Sequence, residues 1–97
     1  MKGGKIMKRV KEKELQQYIQ KFNSKNIIVN LGGVINAKIQ MEKVKSHYNT
    51  RNGIISLSDL RTNIKIDTST VYKMQVSENE TIFEVYLDNG LDLRIEK

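Results

Sequence analysis

The chain has no cysteine, no proline and a single histidine, His47. Disulfide frames, thiol nucleophiles and zinc sites of the Cys/His type are thereby excluded. His47 stands between Ser46 and Tyr48, and neighbours in sequence point to different sides of an element, so the Ser-His pair is no triad. Gly32-Gly33 is not followed by Gly-Lys-Ser/Thr, which removes a phosphate-cradling loop. A non-catalytic protein without cofactor, metal or small-molecule substrate is expected. No apolar run exceeds three residues, as at Ile27–Val29, against the roughly 20 that cross a bilayer. Met1–Val10 is also too polar for a signal-peptide core. A soluble, cytoplasmic protein with no membrane partner is the corresponding expectation.

What is present is an ordinary globular composition of 38% hydrophobic and 29% charged residues in 97, enough for one core and one domain. The net charge is +6, and it is unevenly divided. Residues 1–52 hold 12 Lys/Arg against 3 Asp/Glu, whereas residues 53–97 hold 5 against 8. A basic field of this kind favours a polyanion, and nucleic acid is the usual one in a bacterial-type cytoplasm. Net charge of this size also serves plain solubility. Thirteen of the 17 cations are lysine, and Ile and Asn are abundant, the bias of an AT-rich bacterial, plasmid or phage genome.

Residues 1–5 carry two glycines and no strong apolar anchor, so they are expected to form a disordered arm, and residues 6–97 one domain. Val10, Leu15, Tyr18, Ile19 and Phe22 recur mostly at helical intervals, which predicts a basic amphipathic helix ending at Asn23–Asn26. Ile27–Leu31, closed by Gly32-Gly33, reads as a strand and a turn. Over residues 34–48 two templates compete. Ile35, Ala37, Ile39 and Met41 alternate as in a strand, whereas Ala37, Met41, Val44 and Tyr48 lie within about 60° on a helical wheel behind Asn36 as N-cap. The helical template extends further and is the expectation adopted.

Residues 57–74 read LSDLRTNIKIDTSTVYKM. A helix capped by Ser58 would place Leu60 and Ile64 on one face, Ile66 would plug a turn, and a second helix capped by Asp67 or Thr68 would bury Val71 and Met74. Two short helices crossing through a tight turn require such a register. Ser69, Thr70, Tyr72, Lys73 and Gln75 would then face outward. The competing reading is a strand, since Ile64, Ile66, Thr68 and Thr70 alternate and both residue types favour sheets.

On Leu57-Ser58-Asp59-Leu60 and Thr68-Ser69-Thr70-Val71-Tyr72 the chain resembles the winged helix-turn-helix DNA-binding family, over about residues 53–96. It departs from that family's preferences at Arg61 and Lys65, where a small residue and a glycine are usual. The resemblance implies an α+β winged helix-turn-helix with an N-terminal basic helix and strand, a motif at 57–77 and a wing hairpin at 81–96. The hairpin also follows from alternation. A three-residue loop Asp88-Asn89-Gly90 pairs Leu87 with Leu91, Val85 with Leu93 and Phe83 with Ile95 inside, and Tyr86 with Asp92 and Glu84 with Arg94 outside. A two-residue loop would mix the faces.

The function expected on these grounds is sequence-specific binding of double-stranded DNA by a homodimer, as a small transcription regulator or accessory protein of a plasmid, phage or chromosome. Lys8, Arg9, Lys11 and Lys13 would hold phosphates, Ser69, Thr70, Tyr72, Lys73 and Gln75 would read the groove, and Asn89 and Arg94 would contact DNA from the wing. Leu15, Tyr18, Phe22 and Ile27–Leu31 are the expected dimer surface. Two rivals stand beside this reading. One is a small β-barrel similar to the Sm-like RNA-binding proteins, with strands cut from 27–31, 34–42, 53–57, 62–74 and 81–95. The other is a charge-driven interaction module of a mobile element.

Overall fold

A computed structural model of the protein describes residues 6–33 and 36–97. The expected arm, residues 1–5, lies outside these residues. The chain runs β1 (Met7–Arg9), α1 (Leu15–Ile19), β2 (Ile27–Gly32), β3 (Ala37–Met41), β4 (Lys45–Asn49), β5 (Ile54–Ser58), β6 (Asn63–Asp67), β7 (Val71–Ser77), β8 (Ile82–Leu87) and β9 (Asp92–Glu96). Every strand pairing is antiparallel. The strands form a six-stranded sheet ordered β1-β7-β8-β9-β2-β3 and a three-stranded sheet ordered β4-β5-β6.

The winged helix-turn-helix is therefore not the fold. That architecture needs several helices, and the one α-helix among the described residues has five residues. Leu60, expected in a helical core, is fully exposed at the β5–β6 turn, while Ile64 and Ile66 sit on β6. The strand reading of this stretch is the one realised. A single 3-10 turn, Thr68–Thr70, does follow Asp67, whose carboxylate accepts from the Ser69 N–H at 3.0 Å and from its hydroxyl at 2.8 Å. The helical start does not propagate, because β-branched and aromatic residues follow it and β7 is held in a ladder between β1 and β8.

Two bends join the sheets. One is Glu42–Val44, with Lys43 in the left-handed region at φ 49°; the other is the 3-10 turn before Val71. Each strand from β2 to β9 either pairs with the next strand or continues through a bend into it, and β9 returns to pair with β2. The result is an antiparallel meander closed on itself like a barrel around one apolar cluster, with Phe22, Val29, Ile55, Leu57, Phe83, Val85 and Ile95 at 0–1% exposure. The strand ranges weighed for a small barrel fall on β2, β3, β5 and β6 to β9, but none of them contains β4, and 62–74 and 81–95 each hold two strands rather than one. The helix expected over 34–48 is likewise replaced, by β3 and β4.

The N-terminal helix is shorter than expected, since residues 7–9 are a strand and 3-10 turns at Glu12–Glu14 and Gln20–Phe22 flank α1. Its apolar residues Val10, Leu15, Tyr18, Ile19 and Phe22 are buried. The segment caps the free edge of β4: Asn23 Oδ1 accepts from the Ser46 N–H at 3.2 Å, Gln16 Oε1 accepts from the Tyr48 N–H at 3.1 Å, and Ser46 Oγ donates to the Ile19 carbonyl at 2.7 Å. A covered edge cannot recruit another strand. Leu15, Tyr18, Phe22, Ile27 and Val29, expected at a dimer surface, are thus part of this chain's own core. The β8–β9 hairpin has the three-residue loop and the pairs deduced above, with Gly90 at φ 91°.

Candidate nucleic-acid interface

Side chains alternate along a strand, so one set from the six-stranded sheet enters the core and the other forms an outer face. Register lines up one polar row across all six strands: Arg9, Gln75, Glu84, Arg94, Asn30 and Lys38. A second row lies one pleat away, with Lys73 opposite Tyr86 and Tyr86 opposite Asp92. The register shift between Val71 and Lys73 leaves Tyr72 outside the regular ladder, and its side chain is 61% exposed. A bulge re-aims a side chain in this way.

The face is internally ordered. Gln75 Nε2 donates to Glu84 Oε1 at 2.5 Å, and the Tyr86 hydroxyl donates to the same oxygen at 2.9 Å. Burial, and next the Glu84 carboxylate, raise the Tyr86 hydroxyl above its ordinary value, so it stays a neutral donor. The Tyr72 and Tyr86 rings have centroids 6.3 Å apart and are inclined at 55°. Lys73 Nζ lies 5.2 Å from the Tyr86 ring centre, within cation–π range. Arg94 Nε sits 3.1 Å from Glu96 Oε1 and 4.0 Å from Glu84 Oε2, yet its buried N–H has no well-aligned acceptor. Two aromatic rings can stack planar bases, and of the four cations on the face Arg9, Lys38 and Lys73 can attract phosphates, whereas Arg94 is paired with Glu96 and Glu84 and the face also carries Asp92.

Two concavities open on this face at its β9-β2-β3 half. A shallow one of about 470 Å³ is lined by Asn30, Gly32, Lys38, Asp92 and Arg94. A deeper groove of about 1050 Å³ runs from Ile28, Gln40 and Glu96 toward the β5–β6 turn.

Of the residues expected to bind DNA, the fold brings Arg9, Tyr72, Lys73, Gln75 and Arg94 onto this face. Lys8 points the other way, its Nζ 5.3 Å from the Tyr18 ring centre. Its pKa is raised, first by a hydrogen bond with the Tyr18 hydroxyl. Lys11 and Lys13 stand exposed on the turn leading into α1. Ser69 and Thr70 turn their hydroxyls onto Asp67. Asn89 is exposed at the hairpin tip, where its Oδ1 accepts from the Leu91 N–H at 3.0 Å. The residues not singled out were Tyr86, Glu84 and Asn30. Hairpin alternation already turned Tyr86 and Glu84 outward; the missing signal was the pairing of β7 with β8, which sets Lys73 and Gln75 beside them.

Among the described residues there is no cluster of three or more His, Cys, Asp or Glu suited to a metal ion, and no helix long and apolar enough to cross a membrane. Comparison of the chain with protein-family models, curated proteins and solved structures finds no match.

Proposed function

We propose that the protein binds single-stranded nucleic acid, without catalysis, on the outer face of its six-stranded sheet. The observation that carries this reading is the gathering of Tyr72, Tyr86, Arg9, Lys73, Gln75 and Arg94 on one face. Exposed aromatics on a sheet stack unpaired bases, and flanking cations track the backbone. A duplex hides its bases in grooves and is usually read by an inserted helix or ribbon. Here α1 has five residues, three of them buried, so the recognition-helix mode loses its support.

Fluorescence anisotropy with labelled single-stranded RNA, single-stranded DNA and duplex DNA over a salt series tests the proposal. Neutralisation of about three phosphates predicts a slope of log affinity against log salt of about −2 for single strands, at about −0.7 per phosphate. The RNA and DNA arms distinguish the sugar. Tighter binding to the duplex at every salt overturns the reading and restores duplex recognition.

A further inference from the structure

Resting on the reading of the sheet face as a single-strand platform, we propose that the deeper groove is its base-selecting pocket, receiving one nucleotide of the bound strand. The groove begins on the outer face itself, at Ile28, Gln40 and Glu96, and ends at the β5–β6 turn. A strand crossing the Tyr72/Tyr86 row and then the Arg94/Asn30 row enters it without leaving the sheet.

Its walls are built, not incidental. Asp59 accepts from the Glu42 N–H at 3.1 Å, the Arg61 N–H at 2.9 Å and the Thr62 N–H at 2.7 Å. These bonds fasten the β5–β6 turn to the β3–β4 bend, so Leu60 is held at the rim with its side chain fully exposed. An exposed leucine by itself means nothing. This one is fixed beside a floor that includes Ile28 and Met41, the apolar part of a mixed cleft and suited to a planar base. Asn26 Oδ1 accepts from the Lys43 N–H at 3.1 Å, which orients its carboxamide and leaves the amino group as a donor. Gln40 is exposed, and its carboxamide has no hydrogen-bond partner among the described residues. Two carboxamides are the groups that read base edges.

The charges fit an anionic chain. Of the three carboxylates lining the groove, Asp59 is held by its backbone donors, Glu96 faces Arg94, and Glu42 makes no ion pair among the described residues, so one carboxylate stands against the unpaired cations. Lys43, Lys45, Arg61 and Lys97 make no ion pair among the described residues. Lys97 Nζ donates to the Lys21 carbonyl at 3.2 Å and lies 5.2 Å from the Phe22 ring centre; Lys43, Lys45 and Arg61, without carboxylate partners beside a half-apolar cleft, suit a base flanked by phosphates.

Anisotropy titrations with four short labelled homopolymers, one per base, test the pocket in the full chain. The parent protein is expected to prefer one base. Leu60→Ser and Gln40→Ala, both at exposed positions and checked for folding by thermal melts, should each lower affinity for that base by about five- to tenfold and narrow the spread among the four. If both variants match the parent on every homopolymer while Tyr72→Ala weakens all four, the pocket is wrong and the platform stands. If the parent binds no single strand, both readings fail.

Discussion

The two sheets share one core but present different surfaces to solvent. Outside the three-stranded sheet, register lines up His47, Ser56 and Lys65, and no hydrogen bond or ion pair joins these side chains among the described residues. Outside the six-stranded sheet, Gln75, Glu84 and Tyr86 are tied by hydrogen bonds, Lys73 leans over an aromatic ring, and Arg94 lies between two carboxylates. One surface is a set of independent solvated groups; the other is ordered before any ligand arrives. Preorganisation reduces the entropy lost on binding, so the ordered face is the one expected to recognise something.

The comparison breaks first if the sheets do not share a core. Phe83, at 0% exposure beneath the six-stranded face, and Leu57, at 0% beneath the three-stranded one, belong to one cluster. Phe83→Ala should cost about 3–5 kcal/mol and Leu57→Ala about 2–5 kcal/mol, each in one cooperative transition under thermal or urea unfolding. Two separate transitions would show that the sheets are independent.

It sharpens with substitutions on the faces themselves. Replacing Tyr72 and Tyr86 together by alanine should weaken single-strand binding by about 1–3 kcal/mol for each stacked base lost. His47→Ala and Lys65→Ala should leave affinity unchanged in the same anisotropy assay. Equal losses from both sets would reduce the interaction to net charge.

A smaller effect is expected at Gly90, where a Cβ would meet no atom within 4 Å but φ is 91°. Gly90→Val should destabilise by about 1–3 kcal/mol through backbone strain alone, with binding retained by the folded fraction. Because the hairpin tip lies past the Tyr86/Asp92 pair, at the end of the ladder, a specific loss of affinity there would extend the interface from the sheet face into the loop.

Titration gives the finest test. The folded Tyr86 value lies above the ordinary 10 because of burial and then Glu84. Its contribution is therefore complete below about pH 10 and is lost as pH rises through the folded value. Spectrophotometric titration should show a late-ionising tyrosine that disappears in Tyr86→Phe. Asp59 and Asp67 behave oppositely. Their values are lowered from 3.8, first by the N–H groups of Arg61 and Ser69 respectively. Their stabilisation persists above pH 3.8 and fades as pH falls through the lowered values, which Asp67→Asn should remove from acid melts.

The parts of this fold that were legible in the sequence are those where one period runs without interruption. Alternation over 81–96 yields the hairpin register down to its loop, and Ile27–Leu31 reads as the strand it is. Residues 34–48 misled because the chain bends. Met41 is inward at the end of β3 and Val44 is buried in the bend just before β4, and the spacing of three arises because Lys43 turns the backbone and shifts the inward parity. Three followed by four, to Tyr48, is also the spacing of a helix. The same ambiguity affects 57–74, where the Thr68–Thr70 turn and the bulge at Tyr72 break the alternation of Ile64 and Ile66. Arg9, Tyr72, Lys73, Gln75 and Arg94 were legible as polar, outward residues. That they share one face depends on β1 and β8 flanking β7, a long-range pairing that local periodicity does not encode.

The most direct test of the account is amide chemical-shift mapping of the protein titrated with a short single-stranded oligonucleotide. Shifts are predicted at Arg9, Tyr72, Lys73, Gln75, Glu84, Tyr86, Arg94 and Asn30, with His47, Ser56 and Lys65 unmoved. Shifts concentrated on the three-stranded sheet, or none at saturating oligonucleotide, would contradict it.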